Sequence, residues 1–260
     1  MPRITSRDNP RLREAARLIA SSRERRKAGR CVLEGEHLAE AYIRRVSAPE
    51  SLLVAEAAQQ RPAVRALMKS VPAGRILVVA GSAWHELGPV QASAGVLAVV
   101  PAPRPQFRRA ADFCLLLEDV QDPGNVGSML RSAAAAGVAQ VFLSPGCAFA
   151  WSPKVLRGGQ GAHFHLEIHE NVDLTAWAEA YRGNVVATTV EGGESLYAAD
   201  LTGPTAIAIG NEGTGLSAAL IAAARTTVSV PMPGRFESLN AAAAAAVCLF
   251  ESVRQRTCAR

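Results

Sequence analysis

Three separated segments of this 260-residue chain combine strand ends, glycines and unusually placed polar side chains. The first reads Leu117-Glu118-Asp119-Val120-Gln121-Asp122-Pro123-Gly124-Asn125-Val126-Gly127-Ser128-Met129-Leu130-Arg131. It follows Phe113-Cys114-Leu115-Leu116, a continuous apolar run of the kind found in parallel strands buried on both faces. The chain is expected to turn on Asp-Pro-Gly and to enter a helix at Val126 or Gly127, with Asn125 at the cap. Arg131, four residues beyond Gly127, then lies on the same helix face. Ligands of open α/β sheets bind at the carboxyl ends of strands, so a site is expected here.

The second segment is Ala206-Ile207-Ala208-Ile209-Gly210-Asn211-Glu212-Gly213-Thr214-Gly215-Leu216-Ser217, a buried strand that ends in a glycine-rich loop with one carboxylate. Such a loop lets backbone N–H and C=O groups come close to a ligand. It lacks the Gly-Lys-Ser/Thr of a phosphate-binding Walker loop and the Gly-x-Gly-x-x-Gly of dinucleotide enzymes. No ribose-binding acid follows about 20 residues downstream, which counts against a dinucleotide-dependent enzyme. The third segment runs from Val228-Ser229-Val230-Pro231-Met232-Pro233 to Ser238-Leu239-Asn240 and on into six alanines. A short strand breaks at the prolines, and a helix with little side-chain bulk begins at Ser238 or Asn240.

The elements that must carry these segments alternate in type. Beyond residue 105, apolar runs at 113–117, 138–143, 185–189 and 205–209 are separated by helical stretches at 127–136, 174–181 and 241–254, which predicts a doubly wound α/β domain. Before it, strand candidates at 31–34, 51–54, 75–79 and 95–100 alternate with helices, as in a small α/β/α domain. Pro101, Pro103 and Pro105, with Arg104 between them, form a stiff linker, so the domains are expected at 1–104 and 105–260.

Composition narrows the function classes. A content of 49% hydrophobic residues supports a full core. The net charge of +5 is concentrated. Residues 1–30 hold ten basic side chains against Asp8, Glu14 and Glu24, a surplus of seven on an otherwise slightly acidic chain. A basic arm on a near-neutral body is the signature of a polyanion binder. Five cysteines, none closely spaced, form neither a zinc knuckle nor a redox pair. With no signal-peptide pattern and no apolar run of about 20 residues, a cytoplasmic location with reduced thiols is expected. His163, His165 and His169 alternate with Ala162, Phe164, Leu166 and Ile168, which predicts a half-buried strand with its polar face outward rather than a metal site.

Taken together, Asn125-x-Gly127-x-x-x-Arg131, Gly210-Asn211-Glu212-Gly213 and Val230-Pro231-Met232 through Ser238-Leu239-Asn240 resemble, in order and spacing over 113–255, the three motifs of SpoU/TrmH methyltransferases of the SPOUT superfamily. Ile4-Thr5-Ser6 through Asn9-Pro10, with Val32-Leu33-Glu34-Gly35-Glu36-His37, is similar to the substrate-binding domain of that family, which has an L30e-like fold. The resemblance implies a C-terminal α/β domain with a trefoil knot and a small N-terminal α/β domain. It implies transfer of a methyl group from S-adenosylmethionine to a ribose 2′-hydroxyl of structured RNA, ribosomal RNA by preference and transfer RNA as the alternative, without a metal. Gly210, Val230 and Leu239 would surround the cofactor, with Thr188 at the end of the preceding strand.

Arg131 is the residue that the family uses on the ribose hydroxyl. A guanidinium is a poor general base. It acts either by transient deprotonation with help from an RNA phosphate or by orienting the hydroxyl and stabilising developing alkoxide charge. Asn125 and Glu212 are expected to fix the architecture around Arg131, and Ser238 and Asn240 to line the nucleotide pocket. The family site forms between two protomers, so a homodimer is implied. Where many members carry a Ser, this chain reads Arg157-Gly158-Gly159-Gln160-Gly161-Ala162. A catalytically silent RNA-binding assembly factor of the same fold is the rival reading, against which the intact Arg131, Glu212 and Asn240 stand.

Overall fold

In the computed structural model the described residues are 3–87, 95–103, 105–106, 109–234 and 237–258. Arg104 of the expected linker and Arg235 and Phe236 of the third segment lie outside them. The chain divides into two compact units, Met1–Pro103 with Trp151–Phe164, and Arg104–Ala150 with His165–Arg260.

The first unit is built on a five-stranded sheet of order β1-β4-β3-β5-β2. Its strands are β1 (Arg3–Ile4), β2 (Arg30–Glu34), β3 (Ser51–Ala55), β4 (Ile76–Val79) and β5 (Val96–Pro101). β5 runs antiparallel to both β2 and β3. Pro101 is therefore a strand residue, paired with Arg30 at the sheet margin, and not part of the linker. Helices α1 (Pro10–Ala20) and α2 (Ser22–Ala28) carry the basic arm, followed by α3 (Glu36–Arg45), α4 (Pro62–Lys69) and α5 (Gly81–His85). Asn9 caps α1, accepting from the Arg11 N–H, and Pro10 supplies a preset φ at the first helical position. Leu12, Ala15 and Leu18 form the buried stripe of α1, so its arginines point to solvent.

Two arginines of the arm serve structure instead. Arg25 is buried, and its guanidinium donates to the carbonyls of Leu18 at 2.5 Å and Ile19 at 3.0 Å, closing the end of α1. Arg30 pairs with Glu14 at 2.7 Å and Glu50 at 2.6 Å.

The second unit holds a seven-stranded parallel sheet of order β10-β12-β9-β11-β6-β7-β8. The strands are β6 (Phe113–Leu117), β7 (Gln140–Leu143), β8 (Glu167–Glu170), β9 (Asn184–Thr188), β10 (Glu194–Ser195), β11 (Thr205–Ile209) and β12 (Thr226–Ser229). Every residue of β6 and β11 is buried, as their apolar runs predicted. Helices α6 (Pro123–Ala135), α7 (Pro153–Gly159), α8 (Leu174–Ala180), α9 (Ala218–Ala223) and α10 (Ala241–Cys258) complete the chain, with α7 packed in the first unit.

The histidine segment departs from the expected strand. Residues Ala162–Phe164 form a 3-10 turn, and only Glu167–Glu170 is extended. His163 and His169 are buried, not outward. Each has an aromatic partner: His163 meets Trp151 at 5.2 Å between ring centroids, and His169 stacks on Phe142 at 4.8 Å. Burial pushes the His169 pKa down, so the neutral ring is favoured in the core. Among the described residues there is no cluster suited to a metal ion.

Candidate active site

The first segment begins its helix three residues earlier than its pattern suggested. Asp122, not Asn125, is the cap: its Oδ1 accepts from the Asn125 N–H at 2.9 Å, and Pro123 opens α6. Asp-Pro-Gly thus serves as cap, first and second helical residues rather than as a free turn. The consequence is chemical. Asn125 becomes an interior helical residue whose side-chain amide is released from capping.

That amide joins the three motifs. Asn125 Nδ2 donates to Glu212 Oε1 at 2.5 Å, and Asn125 Oδ1 accepts from Asn240 Nδ2 at 3.1 Å. Asn240 in turn caps α10, its Oδ1 accepting from the N–H groups of Ala242 at 3.0 Å and Ala243 at 3.2 Å. A carboxylate, an amide and a helix cap therefore form one directed chain, each donor and acceptor used in the sense its chemistry allows.

Glu212 lies on the wall of a cavity of about 350 Å³ at the carboxyl ends of β9, β11 and β12. Thr188, Gly210, Val230, Ser238 and Leu239 line it too, so every residue assigned to cofactor binding from sequence reaches one space. Thr189, Asn211, Gly213 to Gly215, Leu216, Ile221 and Met232 also line it and were quoted within motifs or passed over. The wall is chiefly backbone and apolar side chain, with Glu212 as its one carboxylate among the described residues. Thr188 is anchored by its hydroxyl, which donates to the Ala208 carbonyl at 2.8 Å.

The loop is closed upon itself. The Asn211 N–H donates to Gly215 O at 3.1 Å and the Gly215 N–H to Asn211 O at 2.9 Å. A Cβ on Gly210 would come within 2.2 Å of the Gly215 carbonyl carbon, and Gly215 itself has φ +70°. Both positions need glycine, for contact and conformation respectively.

Asn125 and Asn240 are not among the lining residues, and their side chains are linked to the wall of the cavity through Glu212. Arg131 does not line it: the residue stands on α6, exposed, with no hydrogen-bond or ion-pair partner among the described residues. The cysteines take no part in the site. Cys31, Cys114 and Cys248 are buried, and desolvation pushes each thiol up to about 12, so these three are not nucleophiles near neutrality.

A cavity at the carboxyl ends of parallel strands, walled by backbone loops and tied to a helix bearing an exposed arginine, is the arrangement expected of a SPOUT α/β methyltransferase domain. The model of the SpoU rRNA Methylase family matches residues 112–250, and the chain belongs to that family. It is 32% identical to the 23S rRNA (uridine(2479)-2′-O)-methyltransferase of Streptomyces viridochromogenes over 99% of this chain and 94% of that one. It is 29% identical to the 23S rRNA (guanosine(2553)-2′-O)-methyltransferase RlmP of Bacillus subtilis, over 96% and 98%. The crystal structure of the SpoU methyltransferase AviRb from Streptomyces viridochromogenes in complex with AdoMet superimposes with a TM-score of 0.84 at 31% identity, covering 96% of this chain and 98% of that one.

Proposed function

We propose that this chain methylates a ribose 2′-hydroxyl of ribosomal RNA and holds S-adenosylmethionine in the cavity beside Glu212. The observation that carries this reading is the Asn240–Asn125–Glu212 chain, which links the helix of Arg131 to the wall of that cavity.

The wall fits such a group. Its volume of about 350 Å³ lies at the small end of small-molecule sites. Apolar surface from Ile209, Leu216, Val230 and Leu239 suits a purine and an aliphatic chain, while loop backbone offers hydrogen bonds to the purine edge and to the amino and carboxylate groups at the end of the chain. When bound, the cofactor supplies a methyl group on a positively charged sulfur, an electrophile that needs no further activation. Gly210 and its loop hold the donor, and Glu212 places one negative charge on the same wall. Arg131 orients the ribose hydroxyl and stabilises negative charge as it develops on O2′, while the hydroxyl proton passes to solvent or to an RNA phosphate. Its freedom from any ion pair among the described residues leaves the guanidinium available for that role.

Arg131 stands off the lining of its own cavity, in keeping with a homodimer in which two protomers complete the site. The first unit is read as the RNA-recognition domain, L30e-like in kind. Exposed Arg7, Arg13, Arg17, Arg23 and Lys27 on and around α1 and α2 supply its phosphate-binding charge. A cytoplasmic location follows from the same reading and agrees with five free cysteines.

Ribosomal RNA is preferred because two relatives matched over nearly their whole length are named for 23S rRNA. Transfer RNA is the second reading, since one relative carries the name tRNA/rRNA methyltransferase. Mapping 2′-O-methyl groups in cellular RNA with and without the gene decides between them. Loss at one ribosomal position is expected. Loss confined to transfer RNA replaces the substrate, and no loss in either overturns the function.

A further inference from the structure

The loop that walls the cavity is fastened at both ends to two consecutive residues, Glu118 and Asp119, which follow β6 and which no motif role covers. Both carboxylate oxygens of Glu118 are engaged by Ser217: Oε2 accepts from the Ser217 N–H at 2.7 Å and Oε1 from its hydroxyl at 2.8 Å. At the other end of the loop, Asn211 Nδ2 donates to the Asp119 carbonyl at 2.9 Å, while Asn211 Oδ1 accepts from the N–H groups of Gly213 at 2.8 Å and Thr214 at 3.2 Å. Asp119 holds a left-handed φ of +53°, a conformation that costs energy outside glycine. Ser144 stabilises it, accepting from the Asp119 N–H at 2.9 Å and donating to its carboxylate at 2.7 Å.

The geometry points to Glu118 as a positioning residue for cofactor binding. Loop residues 210–217 form much of the cavity wall. Gly210 and Leu216 are buried and packed, but Gly213, Thr214, Gly215 and Ser217 are exposed, so this stretch is held in shape chiefly by hydrogen bonds. A charged acceptor that takes two donors from one residue is the strongest of these ties. The same strand end leads within four residues to the cap of α6, so Glu118 also fixes the cavity wall relative to the helix that carries Asn125 and Arg131. This inference rests on the reading of the cavity as the S-adenosylmethionine site.

The test is calorimetric titration of the full-length protein with S-adenosylmethionine and with S-adenosylhomocysteine, so that binding is read without turnover. Wild type is titrated first; failure to bind either molecule would sink the cofactor reading itself. Given wild-type binding, Glu118→Ala is expected to weaken both ligands about tenfold, as loss of a charge-assisted pair predicts. Glu118→Gln should restore most of that affinity, because the amide still accepts from the Ser217 N–H and the serine hydroxyl can rotate to receive its NH₂. Ser217→Ala, which keeps the backbone bond, should fall between wild type and Glu118→Ala, and it carries the test if the alanine variant at 118 does not fold. A purely structural carboxylate would lower Tm in these variants and leave the dissociation constants at 25 °C unchanged. Unchanged affinity in folded Glu118→Ala, or equal losses in the alanine and glutamine variants, overturns the assignment.

Discussion

Asn240, the cap of the last helix, donates a 3.1 Å hydrogen bond to Asn125, 115 residues earlier in the chain. Neither side chain is committed to a local purpose that excludes the other: Asn240 uses Oδ1 for its own helix and Nδ2 for Asn125. Through Asn125 the same link passes to Glu212. Asn125→Ala breaks both bonds at once, so it should lower kcat at saturating cofactor by at least about tenfold. Asn240→Ala in that background should cost little more, apart from its lost cap. Single-turnover rates of the two single variants and the double variant measure this coupling; fully additive losses would show that the three side chains act independently.

Arg131 has a different signature. It is not among the residues that line the cavity, so Arg131→Ala should leave the dissociation constant for S-adenosylmethionine within about twofold of wild type. Methyl transfer should fall by at least about a hundredfold, the scale seen when one donor to a developing oxyanion is removed. Arg131→Lys should recover little, because an ammonium lacks the planar fork of donors. Calorimetry and incorporation of labelled methyl into RNA separate the two quantities. Turnover surviving in the alanine variant would move the chemistry to another residue.

The three motifs were legible because they break the rules of regular structure: buried strands that stop at polar, glycine-bearing loops have few reasons to exist apart from a ligand. What was misread was local and shared one cause. A dipeptide of Asp or Asn with Pro closes a turn as readily as it starts a helix, and both uses place the same φ at proline. Asp122-Pro123 proves to be cap and first helical residue, as Asn9-Pro10 is for α1, and that shift moves Asn125 from cap to network.

The histidine alternation misled for a related reason. Period two records polarity, whereas His163 and His169 are buried on aromatic rings that sequence distance conceals. Least visible was the membership of Trp151–Phe164 in the first unit. It depends on contacts such as the Arg157 guanidinium with the Glu34 carboxylate, 123 positions apart, and no pattern within either segment announces it.

Gly210 offers a steric test with an internal control. A methyl group there would sit 2.2 Å from the Gly215 carbonyl carbon and 2.4 Å from both the Gly215 oxygen and the Leu216 nitrogen. All three are backbone atoms of the closed loop, so the loop must open. Gly210→Ala should therefore weaken cofactor binding by more than about tenfold. Gly203→Ala, where an added Cβ meets nothing within 4 Å, should bind as wild type does. Equal affinity of the two variants would mean that the loop shape does not define the site.

The end of α10 is held by a buried carboxylate whose charge is tunable. Glu251 accepts from Arg254 Nε at 2.8 Å and Nη2 at 2.7 Å, and from Gln255 Nε2 at 2.8 Å. Gln255 carries the tie onward, donating to Ala199 O at 3.0 Å and accepting from the Leu201 N–H at 2.9 Å. The hydrogen bonds from Arg254 hold the Glu251 carboxyl below the ordinary range, because they favour its ionised form. A carboxyl with a lowered pKa in the folded state binds its proton more readily when unfolded. Its stabilisation is therefore complete above the unfolded value of about 4.3 and disappears as pH falls through the lower folded value. Glu251→Gln should accordingly unfold at lower urea than wild type at pH 7, and the gap should narrow steadily below about pH 4. Urea midpoints of both proteins from pH 7 to pH 3 provide the comparison. A gap that stays constant across that range would assign the loss to packing rather than to the charge on Glu251.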